Sequence, residues 1–172
     1  MAVLRRNLDA YQARRAPFFS QVSTWLGRCV AEEPVPQGAP PDLTETLVHL
    51  LRQVCEYLEL PFRCERFSAM DLKLPEITAP GQWALEVARA VGADTYINAP
   101  GGRGLFDSRQ FRDAGIRLQF LDPVLAEYPQ GPRAFLPGLS IIDLMMWNSP
   151  DRVRELVGQY AVSAQEPGST QH

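Results

Sequence analysis

Gly92-Ala93-Asp94-Thr95-Tyr96-Ile97-Asn98-Ala99-Pro100-Gly101-Gly102-Arg103-Gly104 runs from a helix stop, through a short β-forming segment, into a glycine loop. Upstream, the spacing of Trp83, Val87 and Ala90 predicts a helix over 82–91 that ends at Gly92 as its C′ residue. Residues 95–98 read as a strand. In the loop that follows, glycine lets backbone N–H groups converge on an anion, and Arg103 adds a guanidinium able to bind one bidentately. Asp107 then caps a short helix with Gln110 at its third position, Gly115 ends it, and residues 116–120 alternate as a further strand. A strand, a polar loop and a capped helix in that order are where open α/β sheets place ligands.

Working outward, residues 4–31 are helical in pattern and are divided by Pro17, which suits the first turn of a second helix. Residues 32–41 hold four prolines and a glycine and read as a linker. Asp42, with Glu45 three residues on, starts a helix whose apolar stripe is Leu43, Leu47, Leu50, Leu51, Val54 and Leu58. Residues 62–67 alternate apolar and charged and predict a strand, which gives a β-α-β-α-β rhythm. Residues 122–137 are a proline-rich loop, 139–148 a helix, and 151–160 a last helix with Ser149 as cap and Pro150 in its first position. Residues 163–172 read as a disordered polar tail. The expectation is a single α/β domain over 1–162: a small, Rossmann-like, largely parallel sheet flanked by helices and preceded by a helical N-terminal segment.

Composition narrows the function classes. The net charge is −3 with no basic run, which argues against a nucleic-acid partner. No apolar run approaches the roughly twenty residues that cross a bilayer. Cys29, Cys55 and Cys64 are odd in number and lack CxxC spacing, so the reading is a reduced, cytoplasmic protein without a structural zinc site. His49 lies among leucines and His172 ends the chain, so a nucleophile activated by histidine has no support.

The candidate site residues follow the loops. Arg103 with the amides of Gly101 and Gly102 would hold a phosphate or carboxylate, although a tight turn from strand to helix explains the same glycines. Asn98, at the strand exit, is favoured over Asp94 at its entrance. Tyr128 and Gln130 offer a phenol and an amide suited to reading hydroxyls or amides of a small polar ligand. Ser140 and Asp143 share one turn of an apolar helix, where a carboxylate needs partners; Asp143 is either a general base or a structural acceptor for arginine or backbone groups. Asp107 is read as a cap, and Met145, Met146 and Trp147 as core.

The block at 93–103, then Phe111, Ala114-Gly115-Ile116, Tyr128-Pro129-Gln130 and Leu139-Ser140-Ile141-Ile142-Asp143-Leu144 with Trp147-Asn148, resembles the carboxy-terminal part of the WbqC-like protein family. That family consists of bacterial proteins often encoded in polysaccharide and natural-product biosynthesis clusters. The resemblance covers roughly residues 7–156 and implies a biosynthetic setting, such as O-antigen or secondary-metabolite synthesis. An enzyme acting on a small polar anionic substrate follows, with acyl or aminoacyl transfer or ligation as the reaction. Asp143 would be its proton-transfer group, and Asn98, Gly101, Gly102, Arg103, Tyr128, Gln130 and Ser140 its substrate-binding set. The family's opening strand and its Gln-Pro-x-Tyr-x-Pro-Trp loop have no counterpart here, so either the start is misassigned or the chain is a shortened relative. A sheet without that strand is expected to leave an apolar edge for a homodimer or partner subunit to cover. The alternative function is therefore a non-catalytic accessory or binding subunit.

Overall fold

Three caps read from the sequence, at Asp42, Asp107 and Ser149, recur in the computed structural model, which describes residues 2–31, 42–132 and 134–164. Asp42 accepts a hydrogen bond from the Thr44 amide, Asp107 from Arg109, Ser140 from Ile142 and Ser149 from Arg152, and each starts a helix by satisfying an orphan donor. Gly92 and Gly115 take positive φ, 68° and 74°, as they close the helices before them. In chain order the helices are α1 (Ala2–Ala13), α2 (Phe19–Ala31), α3 (Leu43–Tyr57), α4 (Gln82–Ala90), α5 (Ser108–Asp113), α6 (Ile141–Trp147) and α7 (Pro150–Val157). The strands are β1 (Thr95–Asn98), β2 (Arg117–Pro123) and β3 (Tyr160–Ala164). The protein is mixed α/β with a small three-stranded sheet in the order β1-β2-β3.

The chain divides into two compact units, Met1–Cys64 with Leu125–Gln159, and Glu65–Val124 with Tyr160–His172. The first is helical. Val22, Trp25 and Cys29 of α2 meet Met145, Met146 and Trp147 of α6, with Leu58 and Val153, and Leu8, Tyr11 and Tyr128 pack around them. Phe18 donates its amide to the Met146 carbonyl at 3.1 Å, tying the start of α2 to α6.

The second unit holds the sheet. β1 and β2 are parallel, joined through α5, with Thr95 opposite Arg117 and Asn98 opposite Phe120. β3 runs antiparallel to β2, with Leu121 opposite Val162. Strand alternation sends Tyr96, Leu118 and Phe120 to one face, where Leu85 and Ala88 of α4 and Phe111 of α5 bury them. The other face carries Ile97, Leu121, Val162 and Tyr160, all exposed.

Two expectations are corrected. Residues 61–66 form no strand; their alternation is not matched by burial, since Cys64, Arg66 and Phe67 are exposed and Phe67–Ala69 turns into a 3₁₀ helix. The third strand is β3, inside a stretch read as helix end and disordered tail, and it makes the sheet half antiparallel rather than largely parallel. Tyr-Ala-Val-Ser-Ala is a weak local signal, and the β2 ladder supplies its order. The expected linker at 32–41 and the tail beyond 164 lie outside the described residues.

Gly81, just before α4, lies against the chain leaving the glycine loop: a Cβ there would sit 2.0 Å from the Leu105 carbonyl oxygen. Gly81→Ala is therefore expected to destabilise the sheet-bearing unit by roughly 1–3 kcal/mol, the usual range for overpacking, read as a lower midpoint in chemical denaturation.

Candidate functional site

The polar candidates fall into two groups, one in each unit. In the helical unit, α6 begins at its Ser140 cap, and one turn later places Asp143 in the core at 3% exposure. Tyr11 of α1 donates its hydroxyl to Asp143 Oδ1 at 2.8 Å, and Tyr128, from the proline-rich loop, donates to Oδ2 at 2.6 Å. Each carboxylate oxygen thus accepts a phenolic proton, and among the described residues no cationic side chain bonds to it. Desolvation by burial, followed by the bond to Asp143, pushes the Tyr11 phenol up to about 12 and raises Tyr128 as well. Both phenols stay protonated at neutral pH, so both remain donors.

Two further candidates brace this cluster. Gln130 is buried and forms a reciprocal pair with Leu136, its Nε2 donating to the Leu136 carbonyl at 2.9 Å and its Oε1 accepting the Leu136 amide at 2.8 Å. That pair closes the loop that carries Tyr128. Gly131 follows at φ 83°, and a Cβ there would come within 2.9 Å of the Trp147 ring, so the loop lies directly on α6. Ser140 is exposed and its hydroxyl oxygen is engaged as the helix cap.

The second group surrounds the end of β1. Pro100–Leu105 is a 3₁₀ helix in which the Gly102 amide donates to the Ala99 carbonyl, while Gly101 is exposed. Gly102 packs against Asn98, since a Cβ there would lie 2.7 Å from Asn98 Nδ2, and Asn98 Oδ1 accepts the Ala99 amide. Arg103 turns back over the sheet. Its Nη2 bonds both oxygens of Asp122, at 2.8 and 2.7 Å, and Ser163 Oγ at 2.6 Å, and its guanidinium stacks over the Phe120 ring at 4.3 Å. Ser163 in turn donates to Asp122. That hydroxyl, and then Arg103, hold the Asp122 carboxyl below its ordinary range. The arginine expected to face an anionic ligand already has an internal one.

Sequence reasoning missed Tyr11, Asp122 and Ser163. Tyr11 falls within the helical pattern at 4–31 with no local sign of a polar role, and its partner lies 132 positions away. Asp122 and Ser163 meet only through the unforeseen β2–β3 ladder. Among the described residues no group of three or more His, Cys, Asp and Glu side chains comes together to hold a metal. No described helix is long and apolar enough to cross a membrane.

The WbqC-like protein family model matches residues 4–155. The chain belongs to the WbqC-like protein family. Tyr11, Asn98, Arg103, Asp122, Tyr128, Gln130 and Asp143 all lie inside the matched range, whereas Ser163 lies beyond it. No curated protein and no solved structure matches the chain.

The tyrosine–carboxylate cluster has a signature in alkali. A phenol whose folded pKa exceeds its unfolded value adds stability that is whole below about pH 10 and is lost as pH rises through the folded value. For Tyr11 that window runs from the ordinary phenol value of 10.0 up to about 12. Titration of phenolate absorbance should therefore show Tyr11 ionising late, and Tyr128→Phe, by stripping a donor from a buried carboxylate, should lower stability by about 1–3 kcal/mol.

Proposed function

We propose that this WbqC-like protein is a cytoplasmic biosynthetic enzyme of bacterial surface-polysaccharide or secondary metabolism, acting on a small polar, anionic substrate. Its reaction centre is Asp143 with Tyr128 and Tyr11. The observation that carries the reading is a buried carboxylate held, among the described residues, by two phenols and no cation. A phenol, unlike a guanidinium, can relay a proton along the bond it makes to the carboxylate. In the proposed step a substrate hydroxyl or amine passes its proton to Tyr128 Oη, while the proton of Tyr128 moves to Asp143 Oδ2. The substrate oxygen or nitrogen becomes a nucleophile, and Asp143 becomes a neutral acid that later returns the proton. Acyl or aminoacyl transfer or ligation requires such a nucleophile.

In this reading Gln130 and Ser140 act as positioning residues, one bracing the loop of Tyr128 and the other fixing the start of α6. Asn98, Gly101, Gly102 and Arg103 form a separate candidate anion site within the sheet-bearing unit, where a carboxylate or phosphate competes with Asp122 for the guanidinium. A second reading rests on its own observation, the open edge at β1: an accessory or binding subunit whose sheet is completed by a partner.

The test is complementation of a strain lacking the gene, with the pathway product quantified and the fold of each variant checked by thermal melting. Asp143→Asn is expected to lower product formation by about 10²-fold or more, the scale of general acid–base catalysis, and Tyr128→Phe to lower it as well. Arg103→Ala should weaken capture of the anionic substrate. If folded Asp143→Asn and Arg103→Ala proteins both sustain normal output, the enzyme reading fails.

A further inference from the structure

β1 has β2 on one side, and among the described residues nothing pairs with the other. The parallel register, with the Arg117 amide on the Asp94 carbonyl and Thr95 opposite Arg117, sends the N–H of Tyr96 and Asn98 towards β2. The N–H and C=O of Thr95 and of Ile97 therefore point outward, two donors and two acceptors in a row. The strand lacks the usual protections of an open edge, since none of Thr95, Tyr96, Ile97 and Asn98 is a proline or a charge. Ile97 is 52% exposed.

Beside this edge, between α4 and β1, lies an apolar groove of about 470 Å³ whose walls include Phe67, Trp83, Val91, Leu105 and Tyr96. Phe67 and Trp83 meet edge to face at 5.4 Å and both stay exposed. A lipid or a sugar would use the groove and leave the four backbone groups unmet. A polypeptide strand satisfies both.

We propose that the strand is β1 of a second copy of this chain. Antiparallel pairing about a two-fold axis at Tyr96 places Thr95 opposite Ile97 of the second copy, and Ile97 opposite its Thr95. Each of these pairs exchanges two hydrogen bonds, so all eight outward groups of the two edges are satisfied together. The same operation sets Tyr96 against its own copy and Asp94 against Asn98 of the second copy, so the one charge at the strand entrance meets an amide and no like charge. Because such a two-fold axis stands perpendicular to the sheet, both copies keep α4 and the groove on one side, and the grooves join across the paired tyrosines. The result is a continuous six-stranded sheet. Four bonds between short strands bury less than the roughly 1,200 Å² of a stable interface, so the exposed groove walls must supply the rest and the dimer must depend on concentration.

This inference identifies the edge partner and does not rest on Asp143 being catalytic: a monomer would leave the acid–base reading standing, and an inert Asp143→Asn would leave the dimer standing. The test is sedimentation of the full chain from low-micromolar to near-millimolar concentration. The expected result is a mass that rises with concentration towards twice the 19.3 kDa of one chain. Ile97→Pro removes an outward N–H without touching the ladder to β2, as edge prolines do, and should weaken the dimer by about tenfold or more, one or two hydrogen bonds' worth. Should that variant fail to fold, Ile97→Lys, which sets a charge on the edge, takes its place and should weaken the dimer in the same direction. A wild-type chain that stays monomeric throughout, or a dimer that the folded edge variant leaves unchanged, overturns the proposal.

Discussion

A carboxylate buried with no cation bonded to it among the described residues must find other donors, and the helical unit is arranged around that demand. Asp143 is held at 3% exposure on α6, and its two oxygens draw in a tyrosine from α1 and another from the loop before α6. Losing either donor would leave a polar oxygen unsatisfied in the core, at a cost of about 1–3 kcal/mol. The cluster thereby fixes the course of three separate stretches of chain. The Gln130–Leu136 pair and the Gly131 contact with Trp147 then determine the path of the loop that brings Tyr128 in.

The sheet-bearing unit solves the opposite problem. Arg103 is a charge on an aromatic core, and Phe120 beneath it offers only a ring face. Asp122 and Ser163 complete its environment from the two antiparallel strands, so the last described strand is clasped to the glycine-rich turn through one guanidinium. With both partners about a third exposed, water screens the ion pair and it adds little to stability. Its consequence is chemical more than energetic, since any external anion must share Arg103 with Asp122.

Local rules made much of the fold legible. Caps at Asp42, Asp107 and Ser149 and left-handed stops at Gly92 and Gly115 depend on neighbours within four positions, and the sequence carries them openly. Alternation at 62–67 failed because period-two polarity marks a strand only where a partner exists. β3 was missed for the converse reason, its small residues acquiring order from a ladder with β2 some forty positions upstream. Asp143 and Tyr128 drew notice because a carboxylate and a phenol sat in apolar or proline-rich surroundings. Tyr11 did not, because on a helix face a phenol reads as one more large apolar ring until the fold brings its hydroxyl to an acceptor.

The same distinction separates the two polar groups as chemistry. A guanidinium keeps its charge at any physiological pH, so Arg103 can bind an anion but does not itself pass a proton. The Asp143 cluster contains only groups that gain and lose protons, and burial has pushed its phenols upward while keeping them within 2.8 Å of an acceptor. A WbqC-like protein that bound its ligand without transforming it would need the first kind of cluster and have no use for the second beyond packing. Phenylalanine in place of Tyr11 and Tyr128, and leucine in place of Asp143, would pack such a core without desolvating a carboxylate. A carboxylate in the core with two half-buried phenols on it is the feature from which the proposed proton transfer is argued.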